Sequence, residues 1–246
     1  MKHIPMLGAG TFRLEGQTAF DSVMMALKAG YRHIDTAQIY GNEQSVGDAM
    51  LASGIARDEI FLTTKVWMNK LSKAEFRSSV EESLNKLQTS YIDLLLIHWP
   101  LKDEKVSMLE YLTELKAVKE AGLVKHIGVS NFNNQQLEQA IGILGAGEIF
   151  TNQVEVHPYL QNKKVVEFCK RNDVLVTGYM PFAYGAVLKD EIILQLANKH
   201  GVTAAQIVLA WMRQNEFVTI PSSTRQANIE SNLEEKNVHL SHDDMA

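Results

Sequence analysis

The sequence predicts a single (β/α)8 barrel, an α/β fold in which eight parallel strands alternate with helices around one core. Apolar, strand-like segments alternate with helix-like segments eight times along the 246 residues, and no linker or change of composition divides them. Segment 91–97 is almost wholly apolar, as strands buried on both faces of a parallel sheet are. Eight such units in about 250 residues is the usual size of this barrel. We therefore treat 1–246 as one domain, since a doubly wound sheet, the main alternative, usually has fewer strands.

The predicted strands are short and mainly apolar, and several end in a polar residue. In chain order they cover residues 7–11, 31–35, 60–65, 91–97, 124–130, 151–155, 174–179 and 217–220. The last residues of these strands, rather than their interiors, are where polar side chains concentrate. In a parallel barrel the carboxyl ends of the strands form the face that holds the active site.

The predicted helices follow these strands, and glycine residues stop several of them. In chain order they cover residues 18–29, 42–53, 72–87, 106–121, 133–144, 163–172, 191–199, 203–212 and 226–235. In the first, Phe20, Val23 and Leu27 share one face, which indicates packing against the sheet. Ser72 and Glu75 predict a capping box at the start of the third.

Composition excludes several classes of protein. The formal net charge is -5 and the basic residues are scattered, so we expect no nucleic-acid partner. No apolar run approaches about 20 residues, so we expect no membrane span. The first six residues contain no apolar core of a signal peptide, and Cys169 is the single cysteine. We therefore expect a cytoplasmic protein.

Two nucleotide-binding loops are also absent from the sequence. Gly8 and Gly10 are not continued into a Gly-x-Gly-x-x-Gly fingerprint, and no Gly-x-x-x-x-Gly-Lys loop occurs. A nucleotide, if one is bound, is therefore held in another way.

Polar residues stand where successive strands end. Asp35, Lys65 and His98 end the second, third and fourth strands, and Tyr40 follows Asp35 by five positions. Each alone has an ordinary explanation: Asp35 as a helix cap, Lys65 as a solvated rim charge, His98 as a core histidine. Their combination on neighbouring strand ends favours one catalytic cluster.

The chemistry of the four side chains is complementary. A phenol with a pKa of about 10 is a poor proton donor at neutral pH, and a nearby cationic Lys65 lowers the pKa of Tyr40 by favouring the phenolate. A buried lysine needs a carboxylate to stay charged, which Asp35 can supply. A histidine beside the phenol can orient a carbonyl or relay a proton. This arrangement matches hydride addition to a carbonyl.

Several segments, taken together, resemble one known family. In chain order they are Gly10-Thr11-Phe12, Asp35-Thr36-Ala37, Tyr40-Gly41-Asn42-Glu43, Thr63-Thr64-Lys65-Val66-Trp67, Asp93-Leu94-Leu95-Leu96-Ile97-His98-Trp99-Pro100, Ile127-Gly128-Val129-Ser130-Asn131-Phe132, Thr151-Asn152-Gln153-Val154-Glu155 and Ile220-Pro221-Ser222-Ser223-Thr224. They strongly resemble the aldo-keto reductases, particularly the bacterial members that reduce 2,5-diketo-D-gluconate, methylglyoxal and other small aldehydes.

The resemblance implies an NADPH-dependent reductase of small aldehydes and ketones. Tyr40 would be the general acid, Lys65 its activator through the Asp35 pair, and His98 would orient the carbonyl. The residues implied to bind the cofactor are Thr11, Ser130, Asn131, Gln153, Tyr179, Ser222, Ser223, Thr224, Arg225, Asn228 and Asn232. Those implied to line the substrate pocket are Phe12, Trp67 and Trp99.

Individual cofactor roles follow from the same resemblance. Ser130, Asn131 and Gln153 would bind the nicotinamide carboxamide, and Tyr179 would stack on the ring or merely pack at the barrel rim. Segment 222–225 would hold the adenosine 2'-phosphate, since a helix N-terminus suits an anion, or would simply begin a helix. Asn228 and Asn232 would lie near the adenine. The two tryptophans have an alternative as core aromatics.

Two features depart from the family pattern. Many members have a lysine directly after the Ile-Pro dipeptide, where this chain has Ser222, so we expect Arg225 to carry the phosphate contact and NADH to be a weaker alternative cofactor. The chain stops at Ala246, where members usually continue into a tail over the substrate. We therefore expect a truncated tail or an open pocket with broader, weaker substrate binding.

Two other functions fit parts of the pattern. A Schiff-base aldolase would use Lys65 as its nucleophile, but a lysine paired with Asp35 stays charged. A non-catalytic, NADPH-binding regulatory subunit would bind cofactor without turnover, but the chain has no insertions.

His157 lies near Glu155 in the sequence, and we expect a rim or loop residue there and no metal site. A monomer is expected.

Overall fold

The structure, a computed structural model, describes residues 3–102 and 105–246. Eight parallel strands follow one another around a sheet in the order β1 to β8. Their bounds are β1 Ala9–Gly10, β2 His33–Asp35, β3 Phe61–Val66, β4 Ile92–Ile97, β5 Val124–Ser130, β6 Ile149–Glu155, β7 Leu175–Tyr179 and β8 Val218–Thr219. A parallel bridge between Leu7 and Thr219 joins the two edges. The predicted (β/α)8 barrel is confirmed.

Helices surround the strands. Their bounds are α1 Gly16–Ala29, α2 Glu43–Ala52, α3 Phe76–Lys86, α4 Met108–Glu120, α5 Asn134–Leu144, α6 Lys163–Arg171, α7 Glu191–His200, α8 Ala204–Gln214, α9 Gln226–Leu233 and α10 His242–Met245. Every predicted strand and helix has a counterpart, and α10 is additional. No helix in the described part of the chain combines the length and the hydropathy needed to cross a bilayer.

The core has an outer and an inner part, and β4 contributes to both. Leu95 and Ile97 pack in the large cluster between the strands and the helices. Leu94 and Leu96 pack in a small cluster inside the barrel with residues such as Phe150. Because alternate side chains of a strand point to opposite faces, a strand that is buried on both faces is mainly apolar. This confirms the interpretation of segment 91–97. The exception in β4 is Asp93, whose carboxylate is paired with Arg57 and Lys125.

The predicted capping box at Ser72 is wrong. The Ser72 hydroxyl donates to the Glu75 carboxylate at 3.4 Å instead of accepting a backbone N–H, and Lys70 holds the same carboxylate through its other oxygen at 3.0 Å. Helix α3 therefore begins at Phe76. A neighbouring cation competes for the glutamate that the local motif assigns to the backbone.

The expectation about the N-terminus concerns in part residues 1 and 2, which lie outside the described residues.

Candidate active site

Four predicted side chains meet at the carboxyl-terminal end of the barrel. Asp35 ends β2, Lys65 lies one position before the end of β3, and His98 follows β4. Tyr40 lies in the 3-10 turn between β2 and α2. The fully buried Lys65 ammonium forms an ion pair with Asp35. It also donates to the Thr36 carbonyl oxygen at 2.8 Å and to the Tyr40 hydroxyl at 3.5 Å.

Burial and charge act in opposite directions on Lys65 and Tyr40. Burial lowers the pKa of Lys65, but the charge of Asp35 and contacts with Tyr40 outweigh it, so the net pKa is raised. Lys65 therefore stays cationic at neutral pH. For Tyr40, burial is the largest cause and raises the pKa, while Lys65 lowers it. Lys65 acts in the predicted direction, but desolvation of the phenolate is the larger effect, so the net pKa of Tyr40 is raised.

His98 is held between aromatic rings. Its ring centroid lies 5.6 Å from that of Tyr40 and 5.1 Å from that of Trp67, both in edge-on geometry. Burial, with a smaller contribution from the charge of Lys65, lowers the pKa of His98 to about 3. Its Nδ1 atom is buried and has no hydrogen-bond partner among the described residues. A neutral imidazole can donate one hydrogen bond, so this side chain suits a carbonyl oxygen.

The residues expected at a carboxamide form a hydrogen-bonded group beside the ion pair. The Gln153 amide donates to the second carboxylate oxygen of Asp35 at 2.8 Å. The Ser130 hydroxyl donates to the Gln153 backbone carbonyl oxygen at 2.8 Å. The Tyr179 hydroxyl donates to the Asn131 side-chain oxygen at 2.9 Å, and burial raises the pKa of Tyr179 to about 12. Neutral donors and acceptors thus border the charged pair.

Segment 222–225 lies between β8 and α9. Ser222, Thr224 and Arg225 are exposed, and Ser223 is half-buried. The Ser223 hydroxyl accepts the Arg225 backbone N–H at 3.2 Å, and no side chain in the described part of the chain caps α9. The segment therefore presents hydroxyls, a cation and the uncapped start of a helix.

The two asparagines of α9 differ in exposure. Asn228 is exposed, whereas Asn232 is 4% exposed and hydrogen-bonds the Tyr31 hydroxyl. The Tyr31 hydroxyl itself donates to the Ile229 carbonyl oxygen at 3.1 Å. The side chain of Asn232 thus helps to attach α9 to the barrel, and the adenine contacts of both asparagines stay predictions.

Aromatic rings stand around the tyrosine at the barrel mouth. The Phe12 and Tyr40 ring centroids are 5.3 Å apart. Phe12 is 43% exposed and Trp99 39% exposed, so both reach the surface of the barrel mouth, while Trp67 is half-buried against His98. These rings could form apolar walls.

Thr11 has a structural contact within the protein. It is buried, and both its backbone N–H and its hydroxyl donate to the Asp35 carbonyl oxygen at 3.0 Å. Its contact with a cofactor stays a prediction.

The sequence patterns predict no site role for Gln38, Asn42 and Glu43, which flank Tyr40. The Gln38 side chain accepts the Trp67 backbone N–H at 3.0 Å. Glu43 accepts the Thr64 hydroxyl at 2.6 Å, and burial raises its pKa. Polar residues crowded into one strand-to-helix corner are the available sequence signal, but their partners are distant in the chain.

His157 is a loop residue, as expected. Its Nε2 atom lies 3.0 Å from a Glu155 carboxylate oxygen, and its Nδ1 atom accepts the Leu160 backbone N–H at 3.1 Å. Within residues 3–102 and 105–246, no group of three His, Cys, Asp or Glu side chains could hold a metal ion.

Comparison with known proteins decides the family. The model of the aldo/keto reductase family matches residues 6–246. The chain belongs to the aldo/keto reductase family. It is an oxidoreductase that acts on carbonyl compounds, and members of the family use nicotinamide cofactors.

Two bacterial reductases and one solved structure illustrate the similarity. A methylglyoxal reductase DkgB from Yersinia pestis is 50% identical over 243 residues, which cover 99% of this chain and 91% of the relative. A glyoxal reductase from Bacillus subtilis is 40% identical over 245 residues, covering 98% of this chain and 87% of the relative. The crystal structure of a putative 2,5-diketo-D-gluconic acid reductase B has a TM-score of 0.95 at 43% identity, covering 98% of this chain and 85% of that one.

Proposed function

We propose that this aldo/keto reductase reduces small aldehydes and ketones of the methylglyoxal and 2,5-diketo-D-gluconate class, with NADPH as the hydride donor and Tyr40 as the proton donor. The observation that carries the proposal is the Lys65 ammonium, paired with Asp35 and 3.5 Å from the Tyr40 hydroxyl. A fixed cation stabilises the phenolate that remains after proton donation. The names of the methylglyoxal and glyoxal reductases support the substrate class.

The side chains present fit a nicotinamide cofactor. A carboxamide has both a donor and an acceptor, and the Ser130 hydroxyl and the amides of Asn131 and Gln153 offer both in return. Tyr179, at the end of β7, would lie against the ring.

The start of α9 fits the phosphate end of the same cofactor. Ser223 and Thr224 offer hydroxyls and Arg225 a cation at an uncapped helix N-terminus, a combination that suits a phosphate. We therefore propose that Arg225 favours NADPH over NADH, with Ser222 in the position of the usual lysine.

The protein's side chains would act around one carbonyl oxygen. A reduced nicotinamide, when bound, supplies a hydride to the carbonyl carbon. His98, neutral because its pKa is about 3, donates a hydrogen bond that turns the carbonyl oxygen toward Tyr40. Tyr40 transfers its hydroxyl proton to that oxygen as negative charge develops there. Lys65 stabilises the remaining phenolate, and Asp35 keeps Lys65 charged.

The aromatic residues would form the apolar part of the pocket. Phe12, Trp67 and Trp99 border the cluster and would exclude water from the reacting carbonyl, which strengthens electrostatic interactions there. The half-exposed positions of Phe12 and Trp99 suit a pocket that accepts several small carbonyl compounds.

Loss of NADPH absorbance with methylglyoxal, a diketo acid and aromatic aldehydes tests the proposal. We expect turnover by the wild type and a fall in kcat of about 10²–10⁴-fold in Tyr40→Phe, with NADPH binding changed less than about twofold. A folded wild-type protein without turnover on the panel, or an unchanged kcat in Tyr40→Phe, would overturn it. A cytoplasmic monomer is proposed as well, and size-exclusion chromatography tests the oligomeric state.

A further inference from the structure

The loop that carries Phe12 contains a strained turn. The Leu14 backbone N–H donates to the Thr11 carbonyl oxygen at 3.1 Å, so Phe12 and Arg13 form the centre of a tight turn. Arg13 has a φ of 64°, in the left-handed region that is unfavourable for a residue with a long side chain. Such a conformation persists where the surrounding structure fixes it.

Asn42 provides that fixation from outside the loop. Its side-chain amide donates to the Thr11 carbonyl oxygen at 2.9 Å and to the Leu14 carbonyl oxygen at 2.8 Å, the two ends of the turn. Asn42 is only 1% exposed, so these contacts are shielded from water. Its position directly before α2 would ordinarily lead an asparagine to cap the helix, but this side chain makes no cap hydrogen bond.

The same side chain also contacts a residue that supports the catalytic lysine. Its oxygen accepts the Thr36 hydroxyl at 2.7 Å, and the Thr36 carbonyl oxygen accepts the Lys65 ammonium at 2.8 Å. On the other side of the turn, the Phe12 ring lies 5.3 Å from the Tyr40 ring. One buried amide therefore connects the aromatic wall with the supports of the lysine.

We infer that Asn42 is a positioning residue for substrate binding. Its amide fixes the turn of residues 11–14 so that Phe12 stays beside Tyr40 as a wall of the substrate pocket. This inference rests on the proposed function. Because Asn42 reaches neither the Lys65 ammonium nor the Tyr40 hydroxyl, its loss affects binding of the carbonyl compound more than the chemical step.

Asn42→Asp is the central variant, because aspartate keeps the shape and the acceptor for Thr36 but cannot donate to both carbonyl oxygens of the turn. The carboxylate has no donor, and a protonated carboxyl has only one. Phe12→Ala and the double variant complete a double-mutant cycle. Asn172→Asp is the matched control, since the Asn172 amide also donates to a backbone carbonyl, that of Phe168 at 2.8 Å, in α6. If Asn42→Asp does not fold, Asn42→Ser replaces it.

In steady-state assays with 4-nitrobenzaldehyde, we expect Asn42→Asp to raise KM about tenfold and to change kcat less than about threefold. In the Phe12→Ala background the same substitution should change KM less than about twofold, because its effect passes through that ring. The control should match the wild type. The inference would be overturned if the fold-increases in KM of the two single variants multiplied in the double variant. It would also be overturned if Asn42→Asp lowered kcat and left KM unchanged.

Amide hydrogen exchange tests the turn of residues 11–14 independently of catalysis. Asn42→Asp should increase exchange in residues 11–14 about tenfold or more and leave α4 unchanged. Unchanged exchange in the turn would overturn the inference. If the wild type turns over no carbonyl compound, the proposed function fails, while the exchange measurement still decides whether Asn42 holds the turn.

Discussion

Asp35→Asn removes the counter-charge of a fully buried lysine. Lys65 is 0% exposed and Asp35 1% exposed, so water cannot replace the lost carboxylate charge. Asparagine keeps an oxygen that can accept from Lys65 and has nearly the same volume. The substitution therefore tests the charge of Asp35 more than its shape.

The expected loss of stability in Asp35→Asn follows from the burial of the ion pair. Two unit charges about 4 Å apart attract by about 4 kcal/mol at an effective dielectric constant of about 20, and removal of one partner of a buried pair costs about 3–5 kcal/mol. Since asparagine retains one hydrogen bond, we expect the free energy of unfolding to fall by about 3 kcal/mol. For a chain of this size, that corresponds to a decrease in Tm of roughly 6–12 °C.

The pKa of Lys65 determines whether the stability of the variant increases or decreases with pH. In the wild type the pKa of Lys65 is raised, so its contribution to stability is complete below the ordinary lysine pKa of about 10.4 and is lost only as pH rises through the higher folded-state pKa. In Asp35→Asn, burial lowers the folded-state pKa of Lys65. The unfolded variant then binds more protons than the folded one, so its stability increases with pH up to about 10.4.

Thermal unfolding between about pH 6 and pH 10 measures this difference. The deficit in Tm relative to the wild type should be largest near pH 6 and shrink toward pH 10, and kcat near pH 7 should fall by about 10²–10⁴-fold. Asp21→Asn is the control, because Asp21 is exposed on α1 and, among the described residues, its side chain accepts only from Gln17. A deficit that is independent of pH, together with a kcat within tenfold of the wild type, would refute the assignment of Asp35 as the counter-charge of Lys65.

Three further predictions concern other parts of the molecule. Because the pKa of His98 is about 3, kcat/KM for methylglyoxal should vary less than about twofold between pH 5.5 and 7.5; a titration near pH 6.5 that disappears in His98→Gln would contradict this. Gly47→Ala should lower the free energy of unfolding, measured in urea, by about 1–3 kcal/mol, because the added Cβ would lie 2.5 Å from a backbone oxygen at the end of α3. Gly142→Ala in α5 is the control and should raise this free energy by up to about 1 kcal/mol, because no described atom lies within 4 Å of its added Cβ. Equal effects of the two substitutions would be evidence against the close packing at Gly47. Arg225→Ala should raise KM for NADPH by roughly ten- to a hundredfold and KM for NADH less than threefold, and steady-state kinetics showing equal changes would count against a phosphate contact.

Much of the barrel could be predicted because its information is local. A strand that is buried on both faces is mainly apolar, as 91–97 is apart from Asp93, and a glycine after a helical segment marks an end. Once the fold is a parallel barrel, Asp35, Lys65 and His98 must approach one another because they lie at the carboxyl ends of neighbouring strands. The convergence of these three residues follows from strand order alone and is present in the structure.

Other features could not be predicted because they depend on partners that are distant in the chain. The capping motif at Ser72 failed because Lys70 holds the Glu75 carboxylate. Asn232 was expected at a ligand, but the fold buries its side chain against Tyr31, although its adenine role stays a prediction. Local sequence indicates which hydrogen-bond partners a side chain favours, and its neighbours in the folded structure determine which of them it contacts.

The sequence by itself determined the barrel, the family and the identity of the residues around the ion pair, because periodicity and motif spacing survive without coordinates. Only the tertiary structure decided how those residues are supported and charged. The raised pKa of Tyr40 depends on how deeply the ring is buried, and the clamp by Asn42 joins residues 28 and 31 positions away. Desolvation and long-range hydrogen bonds are properties of packing, and packing exists only after the chain has folded.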